Sequence, residues 1–194
     1  MLHTFDFTGP DQLPVVYHPS PAGLHVHGRR LLDLFNEYPP DNPVRFDEVP
    51  HPPVDARDTE GGYYETRTDN WGTTWAFRIF GVQGHPLEYP FENWRAAADY
   101  ELPPLPNPDR AMLAKQRRRY LIFDGGVSLF EKLHALRPIE EVLVDLACGD
   151  PDCIAFLDRL VDYWEKAIAR FLDAGVDVLF FGDDWGTQSA PIVS

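Results

Sequence analysis

The sequence predicts an α/β protein with a parallel sheet, on three observations. Strand-like apolar runs alternate with helical patterns along the chain. The run from Val176 to Phe181 is apolar without alternation, as in a strand covered on both faces. A long amphipathic pattern ending at Gly175 delivers the chain directly into that run. Where the run stops stand two adjacent carboxylates, Asp183 and Asp184, at the position that carries chemistry in α/β proteins.

Read in order, Leu13 to Tyr17 is a short strand, with Pro14 tolerable at its start. His25 to Tyr38 reads as a helix with Leu31, Leu32, Leu34 and Phe35 on its apolar stripe, stopped by Pro39 and Pro40. A proline-dense loop runs to Pro53. Tyr63 to Arg67 and Thr74 to Ile79 flank Asp69-Asn70-Trp71-Gly72 and read as a hairpin, an excursion from the strand-helix alternation. A short helix over Phe91 to Tyr100 leads to a second proline-rich connection, Leu102 to Pro108, and a polar helix from Asp109 to Arg119. Tyr120 to Phe123 reads as a buried strand entering Gly125-Gly126. Helices follow over Ser128 to Leu136 and Ile139 to Leu146. The longest helix has Asp150 as N-cap, Pro151 at its first position and Gly175 just past its end; Ile154, Leu157, Val161, Trp164, Ile168 and Phe171 share one face.

The 194 residues, 44% hydrophobic and 13% aromatic, are enough for one domain with its own core. A closed eight-stranded β/α barrel takes about 250 residues, so only part of one is expected here. The chain stops at Ser194, where an N-cap residue would open the next helix. A net charge of −14, from 31 acidic against 17 basic residues, argues against nucleic acid and anionic membranes, because phosphate neutralisation needs clustered Lys and Arg. A small polar ligand or a protein partner is expected instead. Cys148 and Cys153 match neither a zinc knuckle nor a redox pair and read as ordinary buried or half-buried thiols. The N-terminus lacks a basic and then apolar leader, and no stretch approaches the roughly 18 apolar residues of a membrane span, so a cytoplasmic location is expected.

The chain resembles the uroporphyrinogen decarboxylase superfamily, and within it the branch that includes cobalamin-dependent methyltransferases. The residues that carry the resemblance are Tyr64-Glu65-Thr66-Arg67-Thr68-Asp69-Asn70-Trp71-Gly72, Gly84-His85-Pro86-Leu87, and Gly125-Gly126 followed by Leu129-Phe130-Glu131-Lys132-Leu133. The most specific are Ala174-Gly175-Val176-Asp177 and Gly182-Asp183-Asp184-Trp185-Gly186-Thr187-Gln188. The resemblance runs over roughly residues 13 to 194, in family order. It implies the N-terminal half of a (β/α)8 TIM barrel over residues 1–194, incomplete at the C-terminus, with a hairpin insertion at about 60–90. It also implies a site at the C-terminal ends of the strands. Uroporphyrinogen decarboxylases proper carry an arginine-bearing Met-Arg-Gln-Ala-Gly-Arg-Tyr segment after the first strand; here Arg29 and Arg30 are present without that motif. The methyltransferase branch uses a zinc held by a His-x-Cys and a later Cys from the second half of the barrel, none of which is in this chain.

Asp183 and Asp184 are the candidate catalytic residues. A carboxylate at a strand end orients a substrate N–H, ligates a metal or donates a proton; the alternative is a loop cap into Gly186. With a regular strand, Val176, Val178, Phe180, Gly182 and Asp184 share a face, so Asp184 is expected inward and Asp183 outward as a cap; a bulge at Gly182 reverses this. The implied substrate-binding set adds Trp185, Gln188, Gly125, Gly126, Asp69, Trp71, His25, His27 and Arg29. For Asp69, Trp71 and Trp75 the choice is between a substrate lid and an anchor for the insertion. His18, His25 and His27 are either a metal-binding beginning or hydrogen-bonded loop histidines, and no metal ligands are assigned. Arg117-Arg118-Arg119 reads as a solvated helix end.

Three functional expectations follow. The intact protein transfers a methyl group between a corrinoid, on a corrinoid protein, and a small thiol or aromatic methyl donor, with zinc and the corrinoid bound outside this chain. Alternatively it decarboxylates uroporphyrinogen in tetrapyrrole (heme) biosynthesis without a cofactor. In the third reading the polypeptide is a non-catalytic half barrel, either a truncation product or one piece that pairs with a complementary chain.

Overall fold

The computed structural model describes residues 2–9, 11–41, 46–117 and 122–192. They form a mixed α/β structure of helices and two small sheets, with no closed barrel among the described residues. Two compact units are present. Met1–Thr66, Ala76–His85 and Gln116–Leu121 make the first; Arg67–Trp75, Pro86–Lys115 and Ile122–Ser194 make the second.

The first unit begins with the single turn α1 (Leu2–Phe5) and is dominated by α2 (Pro21–Glu37). The helix starts four residues before the expected His25, because Ser20 caps it, its Oγ accepting from the Gly23 amide at 3.2 Å, and Pro21 suits the first turn. At Gly28 the backbone adopts φ 61, ψ −147, which a side chain would resist, and the helix kinks there. Leu24 and Leu32, on either side of the kink, are the buried residues. The Leu13 to Tyr17 strand is a correction: the segment forms no strand and joins no sheet among the described residues, and Leu13 is 80% exposed. Its backbone is tied to one residue instead, Val15 N–H donating to the Asp41 carboxylate and Val15 C=O accepting from Asp41 N–H.

The expected hairpin is present as β1 (Glu65–Thr68) and β2 (Thr74–Phe77), but it is part of a three-stranded sheet in the order β1-β2-β3. The third strand, β3 (His85–Glu88), was not anticipated, since Pro86 argues against a central strand. The order places it at an edge, where a missing N–H is tolerated. The turn is organised by Asp69, whose carboxylate accepts from Trp71 N–H, Thr73 N–H and the Trp75 indole N–H at 2.9–3.0 Å.

In the second unit the Phe91 to Tyr100 helix shrinks to a 3-10 turn, Trp94–Ala97, capped by Asn93. Helix α3 (Arg110–Gln116) is capped by Asp109, which accepts from the Ala111 and Met112 amides. Arg118, Arg119 and Tyr120, the expected helix end and strand start, lie outside the described residues, as does Ser194. Strand β4 spans Phe123–Val127 and pairs in parallel with β5 (Val178–Phe181). Gly125 and Gly126 therefore belong to the strand rather than to the loop after it. The register steps from Asp124↔Leu179 to Val127↔Phe181, so one extra residue of β4 is accommodated at the glycine pair, as a β-bulge requires.

Between the two strands run α4 (Phe130–Leu136), α5 (Ile139–Cys148) and α6 (Pro151–Ala174). The caps of α6 are those the sequence specifies: the Asp150 carboxylate accepts from Cys153 N–H at 2.8 Å, and Gly175 closes the C-terminus at φ 94. Its buried stripe is Cys153, Phe156, Leu160, Tyr163, Ala167 and Phe171, one position round from the expected face, so Ile154 and Val161 are exposed. The aromatic contacts of Phe91, Trp94 and Tyr100 draw Phe156 inward and set that rotation. The β5 strand is a second correction. It is not covered on both faces, because Phe180 and Phe181 are 67% and 65% exposed.

Candidate functional site

The strand β5 ends at Phe181, so alternation does not extend to the two aspartates. Asp183 is the half-buried one: its Oδ1 and Oδ2 accept from Leu129 N–H at 3.1 and 2.8 Å, and Oδ1 also accepts from Glu131 N–H at 2.9 Å. These are amides at the start of α4, which has no side-chain cap of its own. Asp183 thus caps α4 across 54 residues of sequence and places negative charge at the helix's positive end. Asp184, expected inward, is exposed and, among the described residues, accepts the Gly186 amide at 3.4 Å. With Glu131 and Gly182 the two aspartates line an open depression of about 510 Å³. Glu131 is engaged by His134 Nε2 at 3.1 Å, leaving Asp184 as the uncommitted carboxylate there.

Trp185 turns to α4, where its indole stacks on Phe130 with ring centroids 5.3 Å apart. Gln188 is exposed in the following loop, which is closed by Thr187 N–H to Ala190 C=O and Ile192 N–H to Trp185 C=O. At Gly126 nothing lies within 4 Å of where a Cβ would stand, so close packing there does not demand a glycine.

In the hairpin turn, Trp71 is buried against Tyr163 and Trp164, and its C=O accepts the Tyr100 hydroxyl at 2.9 Å. Those contacts describe an anchor in the core of its unit. Over the Trp71 ring lies Lys132 Nζ, 4.6 Å from the centroid, a residue that the resemblance includes but to which it assigns no role. It is one of three lysines in the chain and the one that is not exposed. Desolvation lowers its pKa, and the Asp69 carboxylate opposes the shift.

In the first unit His25 contacts the edges of His51 and Phe80, each with centroids 5.4 Å apart. His27 is exposed, and Arg29 pairs with Asp33 at 2.8 Å on the surface of α2. No group of three or more His, Cys, Asp or Glu side chains is disposed to hold a metal ion among the described residues. Nor is any described helix long and apolar enough to cross a membrane. In comparisons with known proteins, no family model matches the chain, and neither a curated protein nor a solved structure shows significant similarity to it.

The two thiols differ sharply. Cys148 is exposed, whereas Cys153 is buried, and burial first, then Asp145 and Asp150, push its pKa from 9.0 to about 11 against the opposing Arg137. A chromogenic disulfide reagent at about pH 8 is expected to titrate Cys148 alone in the native protein and both thiols after unfolding. Because the folded value lies above the unfolded one, stability is intact below about pH 9 and falls as pH rises towards about 11. Alkaline melts of Cys153→Ala, which lacks that step, check the sign.

Proposed function

We propose that this chain is the N-terminal half of a (β/α)8 barrel of the uroporphyrinogen decarboxylase superfamily, on the corrinoid-linked methyltransferase branch. Asp184 is the carboxylate that orients substrate at the barrel mouth. The observation that carries the reading is the parallel β4-β5 pair joined through α4, α5 and α6, with adjacent carboxylates immediately beyond the C-terminal end of β5. In β/α barrels that end of the strands is where catalytic side chains gather. Of the two carboxylates, Asp183 is consumed by three hydrogen bonds from the start of α4, which makes it a positioning residue for the loop. Asp184, exposed and holding one long contact, is free to accept an N–H from substrate or to stabilise developing positive charge.

The residues described do not form a zinc site, so no step is assigned to zinc, and the part left to this chain is substrate orientation. A corrinoid would enter on a separate corrinoid protein.

The test uses protein purified from its own cells with whatever chains accompany it. Demethylation of methylcobalamin by a thiol is followed by absorbance, and loss of carboxylates from uroporphyrinogen by chromatography of the oxidised porphyrins. Methyl transfer is expected, with Asp184→Asn lowering turnover about 100-fold or more at an unchanged melting temperature. Asp183→Ala is expected to cost about 1–2 kcal/mol of stability by uncapping α4. Absence of both conversions, or full turnover in both Asp183→Asn and Asp184→Asn, ends the proposal. Decarboxylation instead moves the chain to the other branch.

A further inference from the structure

A cavity of about 450 Å³ lies among α4, α5, α6 and the loop after β5, separate from the open depression at the aspartates. Phe130 and Leu133 come from α4, Leu146 from α5 and Leu157 from α6; Trp185 and Ile192 come from the loop. No charged side chain and no hydroxyl borders it. Its volume falls in the range of about 300–1,000 Å³ typical of small-molecule sites. Its lining side chains are apolar, so the space favours an apolar occupant over a charged one.

The loop is what makes this a built site rather than a packing gap. Gly186 bridges Pro191, Ile192 N–H donates to Trp185 C=O at 2.8 Å, and Thr187 N–H donates to Ala190 C=O at 2.7 Å. These bonds close a flap upon itself, and its two ends, Trp185 and Ile192, are both turned to the cavity. The Trp185 indole already stacks on Phe130 at an interplanar angle of 28°, yet the residue remains 46% exposed and borders the cavity, so it retains aromatic surface for a second ring. The chain's charge of −14, with Asp184 beside Trp185, disfavours an anion.

We infer that this cavity is a binding site for a small, neutral, planar apolar molecule, held by ring stacking under the Trp185-Ile192 flap. The inference does not depend on the family assignment or on either aspartate.

The probe is N-phenyl-1-naphthylamine, which is neutral and brightens in apolar surroundings, titrated into the full chain with energy transfer from tryptophan as the second signal. Saturable binding of one probe per chain is expected, weakened in Trp185→Leu, whose four remaining tryptophans still report bound probe by energy transfer. Ala147 is exposed but reaches the cavity from α5, so Ala147→Phe fills the space without burying new polar groups and is expected to weaken binding about tenfold or more. A Phe180→Ser/Phe181→Ser variant removes the exposed apolar patch on β5 and is expected to bind as well as the parent. The sulfonated analogue 8-anilinonaphthalene-1-sulfonate is expected to bind more weakly. Titration without saturation, undiminished binding by Ala147→Phe, or loss of binding with the β5 variant overturns the inference. Circular dichroism of each variant separates lost binding from lost folding.

Discussion

Arg137→Met is expected to destabilise the protein by about 3–5 kcal/mol, read as a shift of the urea midpoint at constant slope. Arg137 is buried at the end of α4 and holds three partners at once. Its Nε donates to Asp145 at 2.8 Å, one Nη donates to Glu141 at 3.0 Å, and the other donates to the Glu92 carbonyl. Asp145 also accepts the Trp94 indole N–H at 2.9 Å, so the guanidinium ties the 3-10 turn, α4 and α5 into one polar network. Methionine fills the volume but leaves the Asp145 carboxylate largely desolvated and the Glu92 carbonyl unmatched. That uncompensated charge, rather than a lost attraction, is the main cost. Arg137→Lys is expected to rescue little, because an ammonium cannot direct donors along three divergent lines. Glu141→Gln, at the exposed end of the network, is expected to cost about 1 kcal/mol or less.

Phe156→Ala is expected to cost about 3–5 kcal/mol. The ring is buried on α6, stacked on Trp94 at 5.3 Å and edge-to-face with Phe91 at 5.4 Å and Tyr100 at 6.4 Å. The guanidinium of Arg159 lies over it, 5.8 Å from the centroid, while donating to the carbonyls of Ala97 and Tyr100. Truncation removes the ring's transfer free energy and leaves a hole bounded by rigid aromatics that cannot collapse into it. Phe156→Leu, which keeps most of the volume, is expected to lose less than half as much. Equal losses for the two variants would show that aromatic geometry, rather than buried volume, accounts for the contact. The Trp94 near-ultraviolet dichroism distinguishes the cases.

Several elements were legible in the sequence because their signals are local. Asp150-Pro151 and Gly175 define α6 through capping chemistry that needs no tertiary partner, and Pro39-Pro40 stops α2 for the same reason. The hairpin around Asp69 was readable because one short carboxylate organises its own turn. Periodicity also showed that α6 is amphipathic. It did not show which of two neighbouring stripes faces inward, since Ile154 and Phe156 are equally apolar and only the aromatic partners contributed by residues 91–100 choose between them.

Tertiary structure alone decided the rest. An apolar run such as Leu13 to Tyr17 specifies a strand only if a neighbour accepts its backbone bonds, and here Asp41 takes that place. The β3 strand became possible because an edge tolerates Pro86. Adjacent aspartates are chemically identical in the sequence. What separates them is the uncapped start of α4, 54 residues earlier in the chain, whose amides claim Asp183 and leave Asp184 to solvent. The roles of Lys132, Arg137 and Trp185 are likewise set by which ring or carbonyl the fold brings to them, a long-range fact that residue spacing does not encode.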